Sequence, residues 1–300
     1  MQARPIPARK ARQLDTDNAD NENQMKHALS THLFVKHRLN TVWLERIRTA
    51  GIPSVELFCA KQHLDYTNPA QVAELGHWFR DAELTLHSLH SPMYNDDLHG
   101  RGGPQSVVTI TETVKAKRVA MVDEIKRALE VAETIPCRYL IQHIGVLDEE
   151  YDERKVDAAF SSLDELNLFA RARGVEILLE NIPNRLSTGE RLVHFLNLTH
   201  LRNGVCFDTG HANLTEGGVA GEFDILKERI RSTHVHDNDG KRDIHWFPKQ
   251  VDGGTIDWPK TMEQLRSREH QYPLMLEVKE SPDFQSFEAA KKSFDLLENC

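Results

Sequence analysis

The run Val205-Cys206-Phe207-Asp208-Thr209-Gly210-His211 ends an apolar, strand-like stretch in a carboxylate, a turn glycine and an imidazole. Other apolar runs end in the same kinds of side chain: His87 and His90 in LTLHSLH, His143 in RYLIQHIG, Glu180 and Asn181 in EILLENI, His234, His236 and Asp237 in STHVHDN, and Glu277 in LMLEVKE. In LLEN and MLEV an acid stands between apolar neighbours, so strand alternation points it away from them. If that direction is an interior, an unpaired carboxylate costs several kcal/mol unless a cation or hydrogen-bond donors meet it. A divalent cation answers the problem, and carboxylates with imidazoles but no thiolate suit Mn²⁺, Mg²⁺, Co²⁺ or Zn²⁺. Taken singly, Glu180 or Glu277 reads equally well as half of a salt bridge. His90 or His143 alone reads as a hydrogen-bonded core histidine, and His87, His236 and Asp237 read as supporting or solvated. Independent accidents would not all fall at the same end of successive strands.

Stepping along the chain gives the elements that must carry these groups. Eight strand-like runs, HLFVKH (32–37), VELFC (55–59), LTLHSLH (84–90), RYLIQHIG (138–145), EILLENI (176–182), GVCFDTG (204–210), STHVHDN (232–238) and LMLEVKE (274–280), alternate with helical segments. The clearest helix is 111–134, with Val114, Met121, Val122, Ile125, Leu129 and Ala132 at helical spacing; others are TVWLERIRTAG, 153–173 before Gly174, and 285–298. Eight β-then-α units without a Gly/Pro/Ser-rich linker predict an α/β fold, a single (β/α)8 TIM barrel, rather than two doubly wound domains. No GxGxxG follows a strand, which argues further against the doubly wound alternative. Residues 1–30 lack an apolar central region and read as a disordered extension, leaving 31–300 for the barrel. In a barrel the site forms at the C-terminal ends of the strands, where the polar tips lie.

The composition narrows the partners. The chain has 300 residues, a formal net charge of −9, 39% hydrophobic and 28% charged residues. No apolar run approaches the roughly 20 residues of a membrane span. Nucleic acid is disfavoured, because a polyphosphate partner calls for clustered Lys and Arg; the loop YNDDLHGRGGPQS (94–106) is acid-balanced instead. Cys59, Cys137, Cys206 and Cys300 are far apart without CxxC spacing, which fits a reducing cytoplasm.

With LLENI, FDTGH and LMLEV, the segment HVHDNDGKRDIHWFPKQVDGGTIDW (234–258) resembles the xylose-isomerase-like barrel superfamily, in which sugar isomerases and epimerases stand beside family 2 AP endonucleases. The resemblance runs from about residue 31 to 298. It implies that Glu180, Asp208, His234 and Glu277 share one divalent metal, with His234 taken over His236 from its H-x-x-D spacing to Asp237. It also matches positions that hold further zinc ions in the endonuclease branch: His90 and His143 beside Glu180, and His211 with Asp243 and His245. One, two or three cations are therefore expected. The activity expected first is a sugar or sugar phosphate isomerase or epimerase, with Glu180 and Glu277 moving a proton beside a carbonyl and His211 orienting a hydroxyl. Asn181, Arg185, Lys241, Arg242 and Trp246 are the expected carbohydrate contacts, with Asn184 and Phe247 nearby. The competing expectations are a zinc-dependent AP endonuclease and a barrel that binds metal or sugar without turnover. A homo-oligomer is compatible with any of them.

Overall fold

The computed structural model describes residues 25–268, 270–283 and 286–300. Its centre is a parallel sheet of eight strands: β1 (His27–Ser30), β2 (Ser54–Phe58), β3 (Thr85–His90), β4 (Tyr139–His143), β5 (Glu176–Glu180), β6 (Gly204–Asp208), β7 (Ile230–His234) and β8 (Leu274–Leu276). From β1 to β7 each strand pairs with its sequence neighbours, and β1 also pairs with β8, with Ala28 opposite Met275. The ring closes just beyond β7, where the Val235 amide donates to the Met275 carbonyl at 2.8 Å and the Glu277 amide to the Val235 carbonyl at 3.2 Å. The expected TIM barrel is thus the observed fold.

Nine α-helices follow the strands: α1 (Thr41–Thr49), α2 (Pro69–Asp81), α3 (Lys115–Thr134), α4 (Glu153–Arg171), α5 (Gly189–Leu198), α6 (Thr209–Asn213), α7 (Gly218–Leu226), α8 (Trp258–Arg266) and α9 (Ser286–Glu298) among the described residues. Their starts are written in local chemistry. Asn40, Asn68 and Asp152 accept hydrogen bonds from amides of the first turn, and Pro69 fills the first position of α2, where its missing N–H leaves nothing unsatisfied. Among the described residues, no helix is long and apolar enough to cross a membrane.

One strand lies elsewhere than expected. HLFVKH (32–37) is not a strand: Ser30 caps a 3-10 turn over Thr31–Phe34, its hydroxyl accepting from the His32 amide. The strand is the preceding His27–Ser30, too short and too polar for its alternation to show, while His32, Leu33 and Phe34 are buried as a connecting turn. Of the expected extension, residues 1–24 lie outside the described residues.

Two cores result. The larger packs strands against helices; a small group, Tyr139, Ile141, Leu178 and Cys206, fills the barrel interior from β4, β5 and β6. Two residues farther along those same strands, alternation brings His143, Glu180 and Asp208 to the interior above that plug. The tips of β5 and β6 are clipped by Asn181, whose amide donates to the Asp208 carbonyl at 3.0 Å and accepts from the Asp208 amide at 2.8 Å. Asn181→Ala strips both buried backbone groups of their partner, at about 1–3 kcal/mol for an unsatisfied group. Urea unfolding should show a loss of at least about 1 kcal/mol; a stability within about 0.3 kcal/mol of the parent would show that the clip bears no load.

Candidate metal centre

The FDTGH run explains itself in three dimensions. β6 passes into α6 without a loop, and Asp208 caps that turn by accepting the His211 amide at 2.7 Å through Oδ1, leaving Oδ2 to face the interior. Gly210 carries no side chain because a Cβ there would overlap the His236 ring. His211 points back over the mouth: its Nδ1 lies 3.5 Å from both Glu180 Oε1 and Asp208 Oδ2, and its Nε2 3.5 Å from Asp243 Oδ2.

Around this turn the ligand-type atoms converge. Glu180, Asp208, His234 and Glu277 each bring one such atom within 4.8 Å of the others. His90, His143 and Glu180 form a second group, with His143 Nε2 2.9 Å and His90 Nε2 3.6 Å from Glu180 Oε2. His211, His236, Asp243 and His245 form a third. A fourth, His32 with His245 and Glu277, closes the ring on the β1 side. His245 holds a left-handed backbone, φ +57°, unusual for a residue with a side chain, and its ring stacks on His236 at 3.9 Å.

Burial and charge oppose each other throughout. For Glu180, burial alone would raise the carboxyl pKa, but the His234 and His143 charges and hydrogen bonds from His143 and His211 hold it well below the ordinary range. Asp208 is likewise lowered, burial being outweighed by His211 and His236. Glu277 goes the other way: burial dominates and raises it despite His234 and His245. Burial disfavours the charged forms of His143 and His245 and lowers both, while Asp208, Asp243 and Glu180 overcome burial to raise His211.

These residues fit a divalent cation. Asp208 Oδ2, Asp243 Oδ1 and His236 Nε2 are buried and have no hydrogen-bond partner, although buried polar atoms are almost always paired. His236 Nε2 stands 3.1 Å from Asp208 Oδ1 and 3.7 Å from Asp243 Oδ1. The two imidazoles of HVH differ sharply here. Both nitrogens of His234 are already engaged, Nδ1 with Glu180 Oε1 at 2.9 Å and Nε2 with Glu56 Oε2 at 3.1 Å. His236 has a nitrogen to spare.

The other expected contacts scatter. Leu33, Val35, Phe58, Met93 and Tyr94, with His90, His143, His211, His245 and Glu277, line a pocket of about 450 Å³ over the centre. Arg185, Lys241 and Arg242 line a separate groove of about 1040 Å³ that meets the pocket at Asp243 and Lys279. Arg242 is bound to Asp239 through two nitrogens, at 2.9 and 2.8 Å. Asn181 is spent on the strand clip, and Trp246 exchanges backbone hydrogen bonds with Asp237 at 2.9 Å outside both cavities. Asn184 is tied to the Ile144 and Val146 carbonyls and Phe247 is buried in the core. Asp237 is structural as well, accepting the Trp258 indole N–H at 2.7 Å. Sequence reasoning passed over Glu56, although VELF shows the same acid between apolar neighbours as LLEN and MLEV. It also passed over His32, hidden by the misplaced first strand.

The fold and site define a class: a closed parallel barrel whose C-terminal mouth gathers carboxylates and imidazoles into adjoining candidate cation positions. Within that class, the chain belongs to the xylose isomerase-like TIM barrel family, whose sequence profile matches residues 44–300. An uncharacterized protein of Methanocaldococcus jannaschii is 27% identical over 285 residues, 91% of this chain and 90% of its own length. A probable endonuclease 4 of Natronomonas pharaonis is 30% identical over 139 residues, 42% of this chain and 49% of that protein. Among solved structures, a D-tagatose 3-epimerase-like protein superposes with a TM-score of 0.72 at 24% identity, covering 92% of this chain and 96% of that one. A D-psicose 3-epimerase solved with D-fructose gives a TM-score of 0.72 at 14% identity, over 91% and 98% of the two chains.

A cation that binds only the folded chain stabilises it by mass action, about 2.7 kcal/mol at a hundredfold excess over Kd. Stripping with a chelator should therefore lower the Tm, and adding Mn²⁺, Zn²⁺ or Co²⁺ should restore it. A Tm indifferent to both treatments would remove the metal centre.

Proposed function

We propose that the chain is a divalent-metal-dependent isomerase or epimerase of a small carbohydrate. The observation that carries this reading is the convergence of Glu180, Asp208 and Glu277 beneath a pocket of about 450 Å³. That volume lies toward the lower end of the roughly 300–1,000 Å³ typical of small-molecule sites. Glu180, Asp208 and Glu277 hold the cation with the His234 imidazole, the four bringing one ligand-type atom each within 4.8 Å of one another, and the unpaired His236 Nε2 stands beside them 3.1 Å from Asp208 Oδ1. A divalent cation there supplies positive charge beside the substrate oxygens and so eases proton loss at the adjacent carbon. Glu277 opens onto the pocket and serves one face of that carbon; Glu180, behind the His143 and His211 wall, serves the other. Each carboxylate takes or returns the proton. His211 orients a hydroxyl, and Leu33, Val35, Phe58 and Met93 offer an apolar wall to the C–H face of a sugar. The likeness in fold to sugar 3-epimerases agrees with this reading.

The second reading is phosphodiester hydrolysis at abasic DNA. It is favoured by the adjoining groups around His90 with His143 and around His211 with Asp243, which would place further cations beside the first to clamp phosphate oxygens. The net charge of −9 and the apolar pocket wall favour the sugar.

Glu180→Gln and Glu277→Gln should each slow deuterium uptake from D₂O at the carbon beside the carbonyl by at least about 100-fold. Metal content measured on the same samples separates loss of the base from loss of the cation. Exchange at the parental rate in either variant would end the assignment. Incision of an abasic duplex that a chelator abolishes would establish the hydrolase instead.

A further inference from the structure

Three of the expected carbohydrate contacts, Arg185, Lys241 and Arg242, lie away from the metal centre, in the groove of about 1040 Å³. That groove is not remote from the chemistry. It shares Asp243 and Lys279 with the pocket over the centre, and Asp243 Oδ2 stands 3.5 Å from His211 Nε2. A ligand seated over the centre can continue past Asp243 into the groove.

The groove walls are held by buried hydrogen bonds. Asn184 donates to the Ile144 and Val146 carbonyls, both at 3.0 Å, and the buried Glu222 accepts the Gly189 amide, tying α7 to the start of α5. Their composition does not suit an anion. Six carboxylates and five basic side chains line the groove, so a phosphate would meet as much repulsion as attraction. Arg185, Lys241, Glu190 and Glu216 make no ion pair among the described residues, which leaves donors and acceptors side by side. Leu147 and Ile225, both large, apolar and exposed, stand among them. Such a surface matches a sugar ring, which carries hydroxyls at its edge and C–H bonds on its faces.

We propose that the groove binds a second sugar unit, so that the substrate is a glycoside or oligosaccharide whose reacting unit occupies the pocket and whose attached ring lies against Arg185, Lys241 and Ile225. The chemistry of that substrate rests on the isomerase or epimerase reading; the second subsite is a matter of binding.

Gly221, which lines the groove from α7, gives a direct test. A Cβ there meets no atom within 4 Å and the helix gains a better helix former, so Gly221→Trp places a ring in the groove without displacing the fold. The probes are D-fructose, the same ketose carrying a glucosyl unit at O4 or at O6, and its 6-phosphate. With the metal-loaded full chain, calorimetry should show a glucosyl ketose binding at least about 10-fold more tightly than D-fructose. Gly221→Trp should remove that advantage and leave D-fructose binding within about twofold of the parent. Arg185→Ala, which removes a charged donor, should cut the advantage about 3- to 10-fold and serves if the tryptophan variant does not fold. Equal affinity for D-fructose and both glucosyl ketoses, or an advantage that survives both substitutions, would overturn the proposal. So would a 6-phosphate that binds more tightly than either glucosyl ketose and loses that gain in Gly221→Trp, since the groove would then hold an anion. A groove-dependent glucosyl preference without proton exchange from D₂O on any probe would sink the isomerase reading and leave the subsite standing. Exchange on D-fructose with no glucosyl preference would do the reverse.

Discussion

Everything at the mouth of this barrel follows from the concentration of carboxylate charge along its axis. Glu56, Glu180, Asp208 and Glu277 are buried and Asp243 nearly so, and they come from β2, β5, β6, the position just after β8 and the loop between β7 and β8. Two like charges 4 Å apart repel by about 4 kcal/mol at an effective dielectric of 20. A few such pairs equal the whole stability of an ordinary domain, about 5–15 kcal/mol. The structure answers by interleaving imidazoles: His234 between Glu56, Glu180 and Glu277, His143 and His90 against Glu180, and His211 and His236 against Asp208 and Asp243. The answer is incomplete, since Asp208 Oδ2 and Asp243 Oδ1 stay unpaired. A cation at this position would supply the missing counter-charge.

The periodicities that made the barrel legible are those of strands buried on both faces. β3 to β6 each carry at least two apolar residues, enough to announce themselves, and their last residues could be read directly as the rim. β1 could not, because HALS has too few residues for alternation to register while the apolar HLFV beside it forms a capped turn. The site was readable to the extent that each functional side chain sits at a strand end. Asn181 fits that description as well as Glu180 does, and only the Asp208 backbone beside it reveals that its amide is already committed. His234 and His236 occupy inward positions two residues apart, and their different neighbours were not readable: His234 meets Glu56, which arrives from a strand 178 residues earlier in the chain, and His236 meets Asp208.

The loop after β7 shows how backbone geometry serves the same charge balance. Asp237 accepts the Asn238 amide at 2.8 Å and the Trp258 indole at 2.7 Å, tying the loop's start to the start of α8. Gly254 approaches Asp237 so closely that a Cβ would collide with its carboxylate. With both ends fixed, His245 is forced into its left-handed conformation, its Nδ1 reaching the Glu277 carbonyl at 2.8 Å and its Nε2 directed at Asp243 at 3.1 Å. Backbone strain of this kind, about 1–3 kcal/mol, persists only where the surroundings enforce it. Here it puts an imidazole between the β8 glutamate and the aspartate two residues before it.

A rim of this composition could serve either proton transfer or phosphate ester hydrolysis, so the discrimination falls to what surrounds it. A phosphodiester brings fixed negative charge and needs cations facing the bond to be broken. Of the basic residues around the mouth, Lys36 and Lys279 line the pocket itself, whereas Arg185, Lys241 and Arg242 face the neighbouring groove, where Arg242 is paired with Asp239. One wall over the centre is made by Leu33, Val35, Phe58 and Met93, an apolar face that suits the C–H face of a ring, beside Lys36, Lys279 and Glu280. A neutral, hydroxyl-bearing substrate loses little by leaving water for such a wall, since the imidazoles and carboxylates opposite can take over its hydrogen bonds. The apolar wall is thus the feature on which the proposed sugar reading rests, since the rim alone would accept either substrate.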